Sequence, residues 1–202
     1  MYNNEQVKHF QQLSHKWLSN KGDIHNEIDE LRDLLRFHEH RYYVENDPLI
    51  SDYEYDSLYK VLETYEKKHP EFITKDSPTQ RVGSGLIKDF PKTQHLVPML
   101  SLENSYNDED LQDWDRKVKE LSGLEEVEYS VEPKFDGASI SLIYENDLLV
   151  RGVTRGDGET GDDITPNVRQ IKSIPLSADF SKHNISQIEI RGEILMNKIN
   201  FK

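Results

Sequence analysis

The hexapeptide EPKFDG, Glu132 to Gly137, sets one lysine between two carboxylates and just ahead of a glycine. A lysine amine attacking an electrophilic phosphorus is covalent catalysis, and it requires the neutral amine. An ordinary lysine, with a pKa of about 10.4, offers only a trace of that form at neutral pH. Glu132 and Asp136 do not help, because nearby anions raise a lysine pKa. Activation of Lys134 therefore calls for cations: Mg²⁺ on substrate phosphates, Arg155, or basic residues elsewhere. Asp136 can hydrogen-bond the ammonium or a ribose hydroxyl, and Gly137 permits close backbone approach or a positive φ. The plain alternative is a solvated lysine at the start of a β-hairpin.

A second stretch, GDGETG (Gly156 to Gly161), matches G-x-G-x-x-G literally. In a dinucleotide fold, glycines of this spacing let a helix N-terminus meet a pyrophosphate. Asp157, Glu159, Asp162 and Asp163 would repel a diphosphate here, and Pro166 interrupts the segment after the turn. The stretch reads instead as an acidic glycine-rich turn after a strand. That sets aside a hydride-transferring oxidoreductase on a parallel sheet.

The elements that must position these residues change character along the chain. Val7, Phe10, Leu13 and Trp17 recur at helical spacing, as do Ile24, Ile28, Leu31, Leu35, His38 and Tyr42 after an Asp23 N-cap. SDYE fits a capping box, Ser51 with Glu54, ahead of a helix that buries Tyr55, Leu58, Tyr59 and Leu62. Residues 70–104, with four prolines, read as an irregular segment draped over a surface. One more helix comes next, with Asp108, Glu109 and Asp110 at its start and a stripe of Leu111, Trp114, Val118 and Leu121. From about residue 126 the period drops to two: Ala138 to Tyr144, a turn at Glu145 to Asp147, a returning strand LLVRGVTR, and a later strand QIEIRGEIL. The fold class expected is α+β: a small helical domain, then a domain with an antiparallel sheet.

Composition limits the function. The 202 residues carry a net charge of −13 and no cysteine, which excludes disulfides and Cys-based zinc sites within this stretch. Both parts are acidic, −5 over the first 70 residues and −8 over the rest. Neither is a basic platform for phosphate neutralisation, so weak or no DNA binding by the chain itself is expected. No run approaches the roughly 18 apolar residues of a membrane span, and no signal pattern opens the chain. A cytoplasmic monomer is the default expectation.

EPKFDG resembles motif I, K-x-D-G, of the covalent nucleotidyltransferases: DNA ligases, RNA ligases and capping enzymes. K-x-D-G is short, but the surroundings are more specific. HPEFITKDSPTQRVG, VPMLSLEN, TRGDGETGDDITPNVRQIKSIPL, IRGEIL and HRYYVENDPLISDYEYD all resemble bacterial NAD⁺-dependent DNA ligase, in order and spacing, over about residues 22 to 202. The resemblance implies a helical domain binding nicotinamide mononucleotide (NMN) at 23–70, preceded by an extension at 1–22. It further implies an adenylation domain of the DNA ligase/mRNA capping, ATP-grasp-like type at 71–202, truncated at its C-terminus. Lys134 would attack the α-phosphate of NAD⁺, form lysyl-AMP and release NMN, with Asp136 supporting. Glu132, Ser101 and Leu102 would line the adenine pocket, and Arg155 and Glu193 would bind the ribose side of AMP. Tyr42, Tyr43, Asp52, Tyr53, Glu54, Tyr55 and Asp56 would serve the NMN half. AMP would then pass to the 5′-phosphate of a nick in duplex DNA, which the 3′-hydroxyl seals.

Each role has a plain rival. Tyr42 and Tyr55 lie on apolar stripes and could be core; Asp52 and Asp56 could simply favour a helix N-terminus. Glu193 could face solvent, Arg155 could pair with the acidic turn beside it, and His38 and His40 read as structural. In the family, later lysine motifs, an OB-fold and a four-Cys zinc finger come after this region, so zinc belongs to that part and no metal site is expected in this chain. The expectation is an N-terminal ligase portion that cannot seal nicks and self-adenylates weakly at most. The alternative is a non-catalytic NAD⁺/NMN-binding fragment.

Overall fold

A computed structural model of the chain describes residues 2–81, 90–101 and 104–196. Its first part is a bundle of three helices in mutual contact: α1 (Asn4–Leu18), α2 (Ile24–Tyr43) and α3 (Asp52–Lys68). Each starts at a side-chain cap, which satisfies backbone N–H groups that the first turn leaves free. Asp23 accepts from the His25 N–H. Asn3–Gln6 and Ser51–Glu54 each form a reciprocal capping box. The bundle core holds Leu13, Trp17, Ile28, Leu31, Leu34, Leu35, Leu58 and Leu62. Leu34 and Phe37, off the single stripe read from the sequence, are also buried, because α2 is covered on more than one side.

The described residues between 70 and 94 are less irregular than their prolines suggest. Two 3-10 turns, Pro70–Phe72 and Pro78–Arg81, wrap the bundle. Buried Arg32 and Glu66 form an ion pair at 2.8 Å. Arg32 also donates to the Phe72 carbonyl, and Glu66 accepts from Ser77 and Thr79. A short strand, β1 (Lys92–Gln94), then pairs with β4 (Thr160–Asp162).

The second part centres on three antiparallel strands in the order β3-β2-β5: β2 (Ala138–Glu145), β3 (Leu148–Thr154) and β5 (Gln187–Ile194). Asn146 and Asp147 both have positive φ, as the tight turn between β2 and β3 demands. Ile140, Tyr144, Leu149, Val168 and Leu176 form its core, closed by the single-turn helix α5 (Thr165–Val168). This is the α+β arrangement expected, and the β2–β3 hairpin removes the parallel dinucleotide fold. α4 (Asp108–Ser122) departs from expectation. Its stripe is not buried: Trp114 is 46% and Leu121 90% exposed, and among the described residues α4 contributes no buried side chain. Trp114 meets Tyr129 with ring centroids 4.8 Å apart.

Candidate functional site

Lys134 does not sit on a strand. It lies in the stretch without regular secondary structure that leads into β2, four residues before Ala138. It lines an open pocket of about 590 Å³ together with Ser101, Phe135, Arg155, Arg191 and Glu193. Three local devices build that pocket.

First, Glu193 ties the Lys134 loop to the sheet. Ser139 and Glu193 are cross-strand partners. The Glu193 carboxylate accepts the Gly137 N–H at 2.9 Å and the Ser139 hydroxyl at 2.8 Å. It thus faces the pocket rather than standing idle on a solvated strand. Gly137 serves close approach, not a positive φ: a Cβ there would lie 2.4 Å from the Ile194 carbonyl oxygen.

Second, the GDGETG turn organises the segment that carries Ser101. Gly156 and Gly158 have positive φ, and the Asp157 carboxylate accepts the Glu159 and Thr160 N–H groups. The turn's outer carbonyls then receive two donors: the Met99 N–H reaches Gly158 at 2.7 Å and the His95 N–H reaches Glu159 at 2.9 Å. These glycines hold a neighbouring strand of chain, not a pyrophosphate.

Third, two guanidinium groups bracket the same segment. Arg155 donates to the Ser101 hydroxyl at 2.8 Å, so it pairs with no acid of the adjacent turn among the described residues. Arg191 donates to the Pro98 carbonyl at 3.0 Å and to that of Val97. Arg191 was not legible as a site residue; on an alternating strand nothing marks it out. Glu132 and Asp136 are exposed neighbours of Lys134 that do not line the pocket, and Glu132 accepts from Ser130 at 3.1 Å. Leu102 lies outside the described residues.

A second pocket, about 250 Å³, opens on the helical bundle. Tyr42, Tyr43, Asp52, Tyr55 and Asp56 line it, from the end of α2 and the start of α3. Pro48, Ile50 and Ser51, from the connection between those helices, complete that side. Tyr42 and Tyr43 are nearly half exposed and are not core. Tyr55 is half-buried, and its hydroxyl donates to Glu39 at 2.9 Å. Burial, and secondarily the Glu39 carboxylate, pushes the Tyr55 phenol above its ordinary range. Two of the residues expected at this site point elsewhere. Tyr53 is 81% exposed, and Glu54 is engaged by Ser51 in the capping box, which holds its carboxyl below the usual range.

Besides Pro48, Ile50 and Ser51, sequence reasoning missed three titratable lining residues. His38 lines the pocket while its Nε2 meets the Ser14 hydroxyl at 2.9 Å. Glu39 lines it as the partner of Tyr55. Lys172 reaches in from the second part of the chain, its Nζ 5.4 Å from the ring centroids of both Tyr43 and Tyr55. That spacing suits a cation–π contact. The tyrosines and acids offer a surface for a cationic aromatic ring, and the lysine offers a partner for an anion. The two pockets share no lining residue. Among the described residues no helix is long and apolar enough to cross a membrane.

Comparison with known proteins assigns both regions. Residues 87–202 match the family model described as NAD-dependent DNA ligase adenylation domain. Residues 21–83 match the model described as DNA ligase-like, N-terminal NAD+-binding domain. A protein named DNA ligase from Sulfurihydrogenibium sp. (strain YO3AOP1) is 56% identical over 208 residues, covering 100% of this chain and 30% of the relative. Proteins of the same name from Persephonella marina and Aquifex aeolicus are 61% and 55% identical, covering 87% and 86% of this chain and 24% of each relative. The chain therefore spans 30% or less of the length of these relatives.

Proposed function

We propose, because this chain belongs to the NAD-dependent DNA ligase adenylation-domain family, that Lys134 is the nucleophile that takes AMP from NAD⁺ and that the tyrosine pocket holds the departing NMN half. The observation that carries this reading is the pocket that Lys134 shares with Ser101, Arg155 and Glu193. The Lys134 nitrogen lone pair forms a bond to the α-phosphorus. The bond from that phosphorus to the bridging oxygen breaks, its electrons leave on the NMN phosphate, and the amine proton passes to solvent. Arg155 and Arg191 are the cations beside Lys134 among the described lining residues, and both already donate within the fold. Mg²⁺ on the NAD⁺ diphosphate would supply further positive charge. Glu193 has lone pairs left for a ribose hydroxyl after serving Gly137 and Ser139.

On the helical side, Asp52, Asp56 and the tyrosine faces suit the cationic nicotinamide ring. Residues 23–70 then form the NMN-binding unit, 71–202 the adenylation unit, and 1–22 an extension whose helix shares the bundle core. For the longer relatives' kind of protein, the acceptor of AMP is the 5′-phosphate of nicked DNA. With this net charge the chain itself is proposed to bind DNA weakly, and with two engaged arginines around Lys134 to transfer AMP slowly. The test is NMN release by the chain in NAD⁺ and Mg²⁺. We expect slow release that Lys134→Ala abolishes; equal release by that variant contradicts the assignment. Binding of NMN without any release would favour the non-catalytic module instead.

A further inference from the structure

The tyrosine pocket has walls from two parts of the chain, and one guanidinium touches the supports of both. Arg81 closes the 3-10 turn Pro78–Arg81 and is 8% exposed. Its Nε donates to Glu39 Oε2 at 3.2 Å, and the other Glu39 oxygen accepts the Tyr55 hydroxyl at 2.9 Å. Its Nη1 faces the carbonyls of Arg169, Ile171 and Ile174 at 3.3, 3.2 and 3.0 Å. Those carbonyls flank Lys172, the residue that stands over Tyr43 and Tyr55.

We infer that Arg81 is a positioning residue for NMN recognition, orienting Tyr55 through Glu39 on one wall and holding the Lys172 loop on the other. The inference rests on the reading of this pocket as the NMN site. Its physical basis is the fork of the guanidinium, which reaches a carboxylate and a fan of carbonyls at once; an ammonium keeps the charge but not the fork. A buried cation so placed fixes both walls without touching the ligand.

The test is calorimetric titration of the chain with NMN. Wild-type binding that Asp56→Ala destroys establishes the pocket; no wild-type binding sinks the pocket reading and this inference with it. With the pocket established, Arg81→Lys is expected to weaken NMN binding about tenfold, the scale of one charge-assisted hydrogen bond. Tyr55→Phe keeps the ring and cuts its link to Glu39, so it too is expected to weaken binding. Because Arg81 acts through that link, the double variant is expected to bind no more weakly than Arg81→Lys alone. An unchanged affinity in Arg81→Lys, or losses that add in the double variant, overturns the inference. Should Arg81→Lys fail to fold, Glu39→Gln carries the same expectations: weaker NMN binding and no further loss on adding Tyr55→Phe.

Discussion

Lys134 is set by its neighbours in space more than by its neighbours in sequence. The two acids that flank it in EPKFDG stand outside the pocket lining, whereas Arg155 and Arg191, both remote in the chain, stand within it. A residue in the other pocket gives a clean pH test. Burial pushes His38 down to about 4, against about 6.5 for a free imidazole. Between those values the unfolded chain binds the extra proton. Native stability is therefore full above about pH 6.5 and is lost as pH falls through about 4. Urea denaturation is expected to show a loss of about 2 kcal/mol between about pH 7 and about pH 5, with the slope flattened in His38→Gln. At this scale the sequence was legible in which residues line the pockets, as with Lys134, Ser101, Arg155 and Glu193 in one and Asp52 and Asp56 in the other. It was silent on Lys172 and Arg191, which are single charges brought in by tertiary contact alone.

The elements were legible where local physics decides them. The capping box at Ser51 could be read because its partner is three residues away, and it holds the helix start that carries Asp52, Tyr55 and Asp56. Ser51→Ala is expected to cost about 1 kcal/mol of stability, read as a lowered urea midpoint, and to weaken NMN binding as that first turn frays. An unchanged midpoint would mean the cap is dispensable. The hairpin around Asn146 and Asp147 was legible for the same reason. The described residues of segment 70–104 were not, because their structure comes from ion pairs and hydrogen bonds to α2 and α3 and from pairing of β1 with β4, forty or more residues away in several cases. α4 was legible as a helix but not in its packing: periodicity reports an apolar stripe and does not say what meets it.

Across the whole molecule, buried charge joins the helical bundle to the segment at residues 72–81. Glu66 accepts from Arg32, Ser77 and Thr79, so Glu66→Ala leaves the buried Arg32 guanidinium with only the exposed Asp29, at 2.7 Å, as counter-ion. We expect a loss of about 3 kcal/mol, measured by chemical denaturation, and weaker NMN binding as residues 77–81 loosen; a loss below about 1 kcal/mol would show that Asp29 alone suffices for Arg32. The two pockets, one proposed for each half of NAD⁺, share no lining residue. The most direct test of Lys134 as the nucleophile is intact-mass analysis with peptide mapping after incubation of the chain with NAD⁺ and Mg²⁺. The expected product is a slowly formed, sub-stoichiometric AMP adduct confined to Lys134 and absent from Lys134→Ala. An adduct on another residue, or one that persists in Lys134→Ala, would contradict that assignment.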